Sequence, residues 1–338
     1  MIGPRSVAAA LVLLLFLVPV ALVLWMGSVP GRSHGGPLPP LTAAEQQMAL
    51  ELEQHVRAIA SGPHNTDHPE ALERAARHIE AALLAAGHPP QPQPFTAAGQ
   101  TVRNIEAVIE PAPGRPARTL VIGAHYDSYG DAPGANDNGT GTAAVLALAR
   151  RLAALRGKTA LRIRLVLFVN EEPPFFQTAQ MGSLVYARRL AASGEDVLGM
   201  MSLETLGFYT DRANSQHYPP PLGLLYPTTG DFAAFVGLTA SRPFVRQAVR
   251  DFRARTAFPS VGGTAPGFVQ GIGWSDHWSF EQVGIPALML TDTAPFRYPH
   301  YHSPEDTPDK VDYQRLARVT AGLERVVRSW AAEEGASR

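Results

Sequence analysis

The 338-residue chain contains no cysteine. Disulfide scaffolds, thiolate-held zinc or iron–sulfur centres and thiol nucleophiles are therefore excluded. Any metal must be held by His, Asp and Glu. Lysine is nearly absent: only Lys158 and Lys310 occur, and arginine carries almost all of the positive charge. Charged residues make up 17%, below the roughly 25% of an average soluble domain. The 29 basic and 30 acidic residues leave a formal charge of −1, with no basic run. Nucleic acid is thereby excluded as a partner. Glycine and proline number 30 each, too many for a coiled coil, but they are dispersed among periodic segments rather than concentrated as in a disordered chain.

One long apolar run is present. Val7 to Met26 holds 20 residues without a charge, enough for a helix of about 30 Å, the thickness of a bilayer core. Arg5 precedes it and a Pro/Gly-rich stretch follows. The run exceeds the roughly 7–15 apolar residues of a cleaved signal peptide, and Gly27-Ser28-Val29 is a poor cleavage site. The sequence therefore predicts a transmembrane signal anchor over residues 1–28, a Pro/Gly-rich linker over 29–44 and a single globular domain over 45–338. The first-helix charge rule places that domain outside the cytoplasm, membrane-held through the N-terminal helix. Secretion after cleavage is the alternative. No feature specifies an oligomeric state.

Within the domain, apolar residues at helical spacing predict helices over 43–60, 69–86, 140–155, 184–192, 243–256 and 313–330. Apolar runs predict strands over 102–109, 119–124, 163–169, 197–203 and 285–290. Residues 89–94 read as a proline-rich loop, and 210–230 as a long surface loop. Strands alternating with helices, with nearly continuous apolar character in the strands, predict an α/β fold. The sheet is expected to be mixed, mostly parallel and sandwiched by helices.

Polar residues gather at the predicted strand ends, where such sheets place their sites. His125 and Asp127 share a face, a spacing that lets a carboxylate orient an imidazole. Asp137 lies in Gly134-Ala135-Asn136-Asp137-Asn138-Gly139-Thr140-Gly141, which taken alone reads as a helix cap. That stretch lacks the G-K-[ST] ending of a phosphate loop. Glu171 and Glu172 are adjacent carboxylates able to divide metal binding from proton transfer. Glu204 ends another apolar run, and His302 lies in a Pro-rich loop beside Tyr301. Two imidazoles and three carboxylates without sulfur suit zinc. Five such ligands exceed one tetrahedral ion and fit two ions about 3.5–4 Å apart sharing a carboxylate.

The segments HYDS (125–128), GANDNGTG (134–141), NEE (170–172), SLETLGFY (202–209), SDHWSF (275–280), GIP (284–286) and YHSPEDT (301–307) together resemble the M28 family of zinc peptidases, in that family's order, across about residues 45–330. The resemblance implies a peptide substrate and two Zn2+ ions per chain. His125 with Glu204 would serve one ion, Glu172 with His302 the other, and Asp137 both, with a cis bond after Asp137. Glu171 would be the general base for a zinc-activated water, Asp127 the partner of His125, and Tyr301 a contact to the oxyanion. His277 is expected near the site without being a ligand. Glu204 departs from the aspartate common at that position. Phe175 and Phe176 are expected to add apolar specificity, and Arg212, Arg242 and Arg297 to be solvated surface residues. The implied activity is that of an exopeptidase, foremost an aminopeptidase. Alternatives are a single-zinc glutaminyl cyclase-like acyltransferase and a non-catalytic binding ectodomain.

Overall fold

The structure is a computed structural model that describes residues 4–114, 117–220 and 222–333; the side chains of 4–14, 16 and 333 lie outside that description. Eight strands form one sheet: β1 (Gln91–Ala97), β2 (Gln100–Ile109), β3 (Arg118–His125), β4 (Leu161–Phe168), β5 (Val197–Glu204), β6 (Ala233–Leu238), β7 (Ser260–Ala265) and β8 (Ala287–Thr291). Their order is β1-β2-β4-β3-β5-β8-β6-β7. The central strands β4, β3, β5 and β8 are parallel. β2 pairs antiparallel to β4, and β6 antiparallel to β8.

The helices are α1 (Pro4–Gly27), α2 (Ala43–Ile59), α3 (Pro69–Ala85), α4 (Gly141–Leu152), α5 (Gly182–Ala192), α6 (Arg242–Arg255), α7 (His277–Glu281) and α8 (Tyr313–Glu333). α2, α4, α6 and α8 pack together on one face of the sheet, and α5 with α7 on the other. Strand alternation divides the core accordingly. On β3, Leu120 and Ile122 enter the larger core, while Val121 enters the smaller one with Phe168, Tyr186 and Phe280. α2 starts on a capping box in which Thr42 and Glu45 satisfy each other's backbone amides.

α6 comes close to the sheet because β5 carries Gly199. A Cβ built there would lie 2.6–2.9 Å from the Phe244 ring. Gly199→Ala is therefore expected to destabilise the fold by about 1–3 kcal/mol through overpacking, read as a lower urea midpoint at unchanged slope.

The structure departs from the sequence reading in two places. Residues 89–94 are not a loop: β1 begins at Gln91 and pairs with β2. An edge strand leaves every second N–H without a partner, so Pro92 and Pro94 are tolerated at that spacing. β6, β7 and α7 were not foreseen, since all are short and the Ser260–Ala265 strand contains two glycines. Residues 29–44, expected as a Pro/Gly-rich linker, run along the domain. Val29 and Leu38 pack on the core, Ser260 N donates to Ser33 Oγ at 2.8 Å, and Arg253 Nη1 donates to Pro30 O at 3.0 Å and Gly31 O at 2.8 Å. α1 is a 24-residue helix. Nine of the 20 side chains of Val7–Met26 lie outside the described residues, and among the described residues no helix is long and apolar enough to cross a membrane.

Candidate metal centre

The chain runs from β3 to β4 on one side and then to β5 on the other. The C-terminal ends of these strands therefore enclose the crevice where the strand order reverses. His125 ends β3 and Glu204 ends β5. Glu171 and Glu172 follow β4, Asp137 lies between β3 and α4, and His302 lies in the loop after β8. Asn170, Thr205 and His302 adopt left-handed φ values of 62°, 48° and 55°. Asn170 precedes Glu171, Thr205 follows Glu204, and His302 is itself an expected ligand; such backbone costs of order 1 kcal/mol or more and is sustained only by its surroundings. The Asp137–Asn138 peptide bond is cis.

All five expected ligands converge, and Asp137 is central. Its Oδ1 lies 3.3 Å from His125 Nε2, which is 3.4 Å from Glu204 Oε1. Its Oδ2 lies 3.1 Å from His302 Nε2, which is 3.4 Å from Glu172 Oε2. Ligand atoms of His125, Asp137 and Glu172 fall within 4.8 Å of one another. Yet Asp137 Oδ2, Glu172 Oε1 and His302 Nε2 are buried without a hydrogen bond. Atoms this close and not aligned for proton sharing have the geometry of ligands around a cation. The buried charge points the same way. Burial, with Asp137 beside it, pushes Glu172 up to about 8. Burial likewise raises Glu171 well above the carboxylate range. Burial works against the charged form of His302, but Asp137 and Glu172 outweigh it and lift the imidazole to about 10. A divalent cation would relieve this crowding of carboxylates, and the oxygen and nitrogen donors fit zinc.

Supporting contacts fix these groups. Asp306 accepts from the Asn136 and Asp137 amides at 2.8 and 3.1 Å, holding the loop that presents Asp137. Ser275 Oγ donates to Glu204 Oε2 at 2.8 Å, and Asn138 Nδ2 lies 3.4 Å from the same oxygen. Tyr129 and Tyr301 stack on His302 at centroid distances of 3.9 and 3.8 Å. Asp276 is buried with both carboxylate oxygens unpaired and is pushed up to about 7 by that burial. Sequence reasoning assigned no role to Ser275, Asp276, Asn138 or Asp306. Their signal was their place inside SDHWSF, GANDNGTG and YHSPEDT.

Other expectations shift. His125 Nδ1 meets the Asp127 main-chain oxygen at 3.1 Å, closer than the Asp127 carboxylate at 3.7 Å. That carboxylate instead accepts from the Glu171 and Glu172 amides at 3.1 and 3.2 Å, shaping the turn after β4. His277 Nε2 donates to Ile272 O at 2.7 Å and, by burial, is held down at about 4; it is no ligand in this geometry. A cleft of about 110 Å³ opens beside Glu204 and Tyr301, lined by Tyr218, Leu222, Phe232, Val236, Ile272 and Phe296 among others. Phe175 and Phe176 do not line it, and Phe175 is buried in the core. Arg297 is not solvated: it is buried behind the cleft wall, donating from Nε to Gln216 Oε1 at 2.7 Å and from Nη1 to Phe232 O at 2.9 Å.

The chain is similar to several known proteins. The chain is 35% identical over 332 residues to the Uncharacterized protein YfbL of Escherichia coli K12, covering 94% of this chain and 97% of that one. It is 27% identical to Aminopeptidase YwaD of Bacillus subtilis, over 68% of this chain but 46% of that protein, so it spans about half of that relative. In fold it is similar to an aminopeptidase from Aneurinibacillus sp. strain AM-1, with TM-score 0.62 and 17% identity over 85% of this chain and 95% of that one. It is similar to the same degree to a glutaminyl cyclase from Fimbriiglobus ruber, with TM-score 0.61 and 18% identity over 89% of this chain and 99% of the other. The model of Peptidase family M28 matches residues 104–327. That match takes in every residue of the centre described above, and the chain belongs to peptidase family M28 and is a metal-dependent peptidase.

Proposed function

We propose that the chain is a di-zinc aminopeptidase, held at the membrane by α1 with its peptidase domain outside the cytoplasm. The observation that carries the di-zinc reading is the division of Asp137. One carboxylate oxygen faces His125 and Glu204, and the other faces His302 and Glu172. Each side offers three oxygen or nitrogen donors, leaving room for water and substrate in a catalytic coordination sphere. When bound, zinc supplies Lewis acidity and lowers the pKa of water towards about 7.

The chain's own residues then have separate tasks. Glu171 stands 3.9 Å from His125 Nε2. It takes the proton of the attacking water and returns it to the departing amine. Its amide is pinned to Asp127, which aims the carboxylate into the centre. Tyr301, stacked on His302 and lining the cleft, is placed to donate to the oxyanion. The apolar cleft receives the side chain next to the scissile bond.

The second reading is a single-zinc acyltransferase of the glutaminyl cyclase kind, supported by the fold similarity. It leaves His125, Glu204 and one Asp137 oxygen without a metal. Elemental analysis of the full chain in detergent, paired with an aminoacyl-amide panel, separates the two. About two zinc ions per chain are expected, with leucyl and phenylalanyl amides cleaved about tenfold or more faster than aspartyl amide. One zinc with no hydrolysis, and cyclisation of an N-terminal glutaminyl peptide, would overturn the proposal.

A further inference from the structure

β6 and β7 run opposite to β8. Their C-terminal ends, Leu238 and Ala265, therefore lie at the far end of the sheet from His125 and Glu204. The apolar cleft bridges that distance. It is bordered by Glu204 and Tyr301 at one end and by Val236 and Ala265 at the other.

α1 meets the domain along this same stretch. Tyr226 and Gly263 both line the cleft, and a Cβ built on Gly263 would lie 3.4 Å from Met26 O and 3.5 Å from Gly27 Cα. A Cβ built on Gly27 would lie 3.2 Å from the Tyr226 hydroxyl and 3.5 Å from Leu225. One wall of the cleft thus rests against the end of α1. α6 fixes that end. Arg242 donates from Nη2 to Trp25 O and to Ser28 Oγ, each at 2.8 Å, and its guanidinium lies 4.1 Å from the Trp25 ring centroid. Arg246 donates to Ser28 O. These donors satisfy carbonyls that a helix end leaves open.

Two large apolar side chains stand in the open in loops whose neighbouring residues line the cleft. Leu224 is 88% exposed and Phe268 is 87% exposed. Leu224 adjoins Leu225, which touches Gly27, and Phe268 follows the C-terminal end of β7. Neither lines the cleft, but both belong to the loops that border it. Tryptophan and arginine at a helix end, with protruding Leu and Phe beside them, are the side chains that settle in the headgroup layer.

We propose that Trp25, Leu224 and Phe268, rimmed by Arg242 and Arg246, form a surface that seats in the headgroup layer of a phospholipid bilayer. The cleft then borders the membrane, and the peptidase takes peptide ends held at that surface. The inference rests on α1 being a membrane span. The orientation it adds is a property of the domain, fixed by the arginine contacts to residues 25–31.

Because the chain has no cysteine, single labels can be placed cleanly. L224C, F268C and, as a control on the outer side of α3, L84C (Leu84 is 62% exposed) each carry one bimane. The full chain is reconstituted in phosphatidylcholine–phosphatidylglycerol vesicles containing nitroxide lipids. Quenching at positions 224 and 268 is expected to exceed that at 84 by about threefold or more. Equal quenching at all three positions in vesicle-bound protein would overturn the seating and leave the anchor intact. Protein that fails to float with the vesicles would overturn the anchor and the seating together. In activity, F268D is expected to spare hydrolysis of soluble leucyl amide while slowing release from a peptide tethered to vesicle lipid. Equal loss, or no loss, on both substrates would count against the proposal.

Discussion

Glu171→Gln is expected to lower kcat by about 10²–10⁴-fold, the usual contribution of a positioned general base, while zinc content stays at the wild-type value. The separation follows from geometry. Asp137, Glu172, Glu204 and the two imidazoles make the close approaches at 3.1–3.4 Å, whereas Glu171 stands off at 3.9 Å from His125 Nε2. Glutamine keeps the volume and the amide bonds of the turn to Asp127; it removes only the capacity to accept a proton. Single-turnover hydrolysis with parallel metal analysis measures both quantities. Full activity in E171Q would end its assignment as base, and loss of zinc would make it a ligand. The Asp127→Ala variant gives a useful contrast. It frees the amides of both glutamates, so it is expected to reduce activity and metal retention together.

The second large effect concerns Asp137. In the di-zinc reading its two carboxylate oxygens serve different ions, so Asp137→Ala is expected to weaken both sites by about 100-fold or more, the upper range for perturbing a metal site. Glu204→Ala should spare the Glu172–His302 side and retain about one zinc per chain. Zinc that binds only the folded state stabilises it by about 2.7 kcal/mol at a free concentration of 100 Kd. Chelator should therefore lower the melting temperature of the wild type clearly, of E204A less, and of D137A hardly at all. The Asp137 and Asn136 amides remain bonded to Asp306 in these variants, so the fold itself is expected to persist. Identical zinc content and identical chelator shifts in D137A and E204A would contradict a shared carboxylate.

Much of this was legible in the sequence for a simple reason: central parallel strands are buried on both faces and read as apolar runs. β3, β4, β5 and β8 announced themselves in that way, and their C-terminal ends named His125, Glu171, Glu172 and Glu204. What the sequence hid was structure without its own hydrophobic signal. β1 contains two prolines and sits at an edge, and β7 contains Gly262 and Gly263. Both exist because a neighbouring strand offers a ladder, not because their residues favour one. At the site, ligand identity followed from residue type, but support did not. Asp306 and Ser275 act through distances that local spacing cannot encode. Arg297 looked like an ordinary surface arginine until Gln216 and Phe232 were brought over it. The packing of the linker was hidden too: Arg253 on α6 holds its backbone to the domain through Pro30 and Gly31, a contact that Pro/Gly composition does not announce.

The bond between Asp306 and the Asn136 amide joins positions 170 residues apart, and it has a consequence for when the enzyme comes into being. A ribosome delivers the chain from its N-terminus, so His125, Asp137, Glu172 and Glu204 all emerge before the segment carrying His302 and Asp306. Until that segment arrives, the loop holding Asp137 lacks its anchor and one side of the centre lacks its imidazole. Contacts this distant in sequence form late and slowly. A chain stopped before residue 302 lacks both His302 and Asp306, so it is expected to hold metal poorly. Hydrolysis is thus expected only once nearly the whole domain has been made.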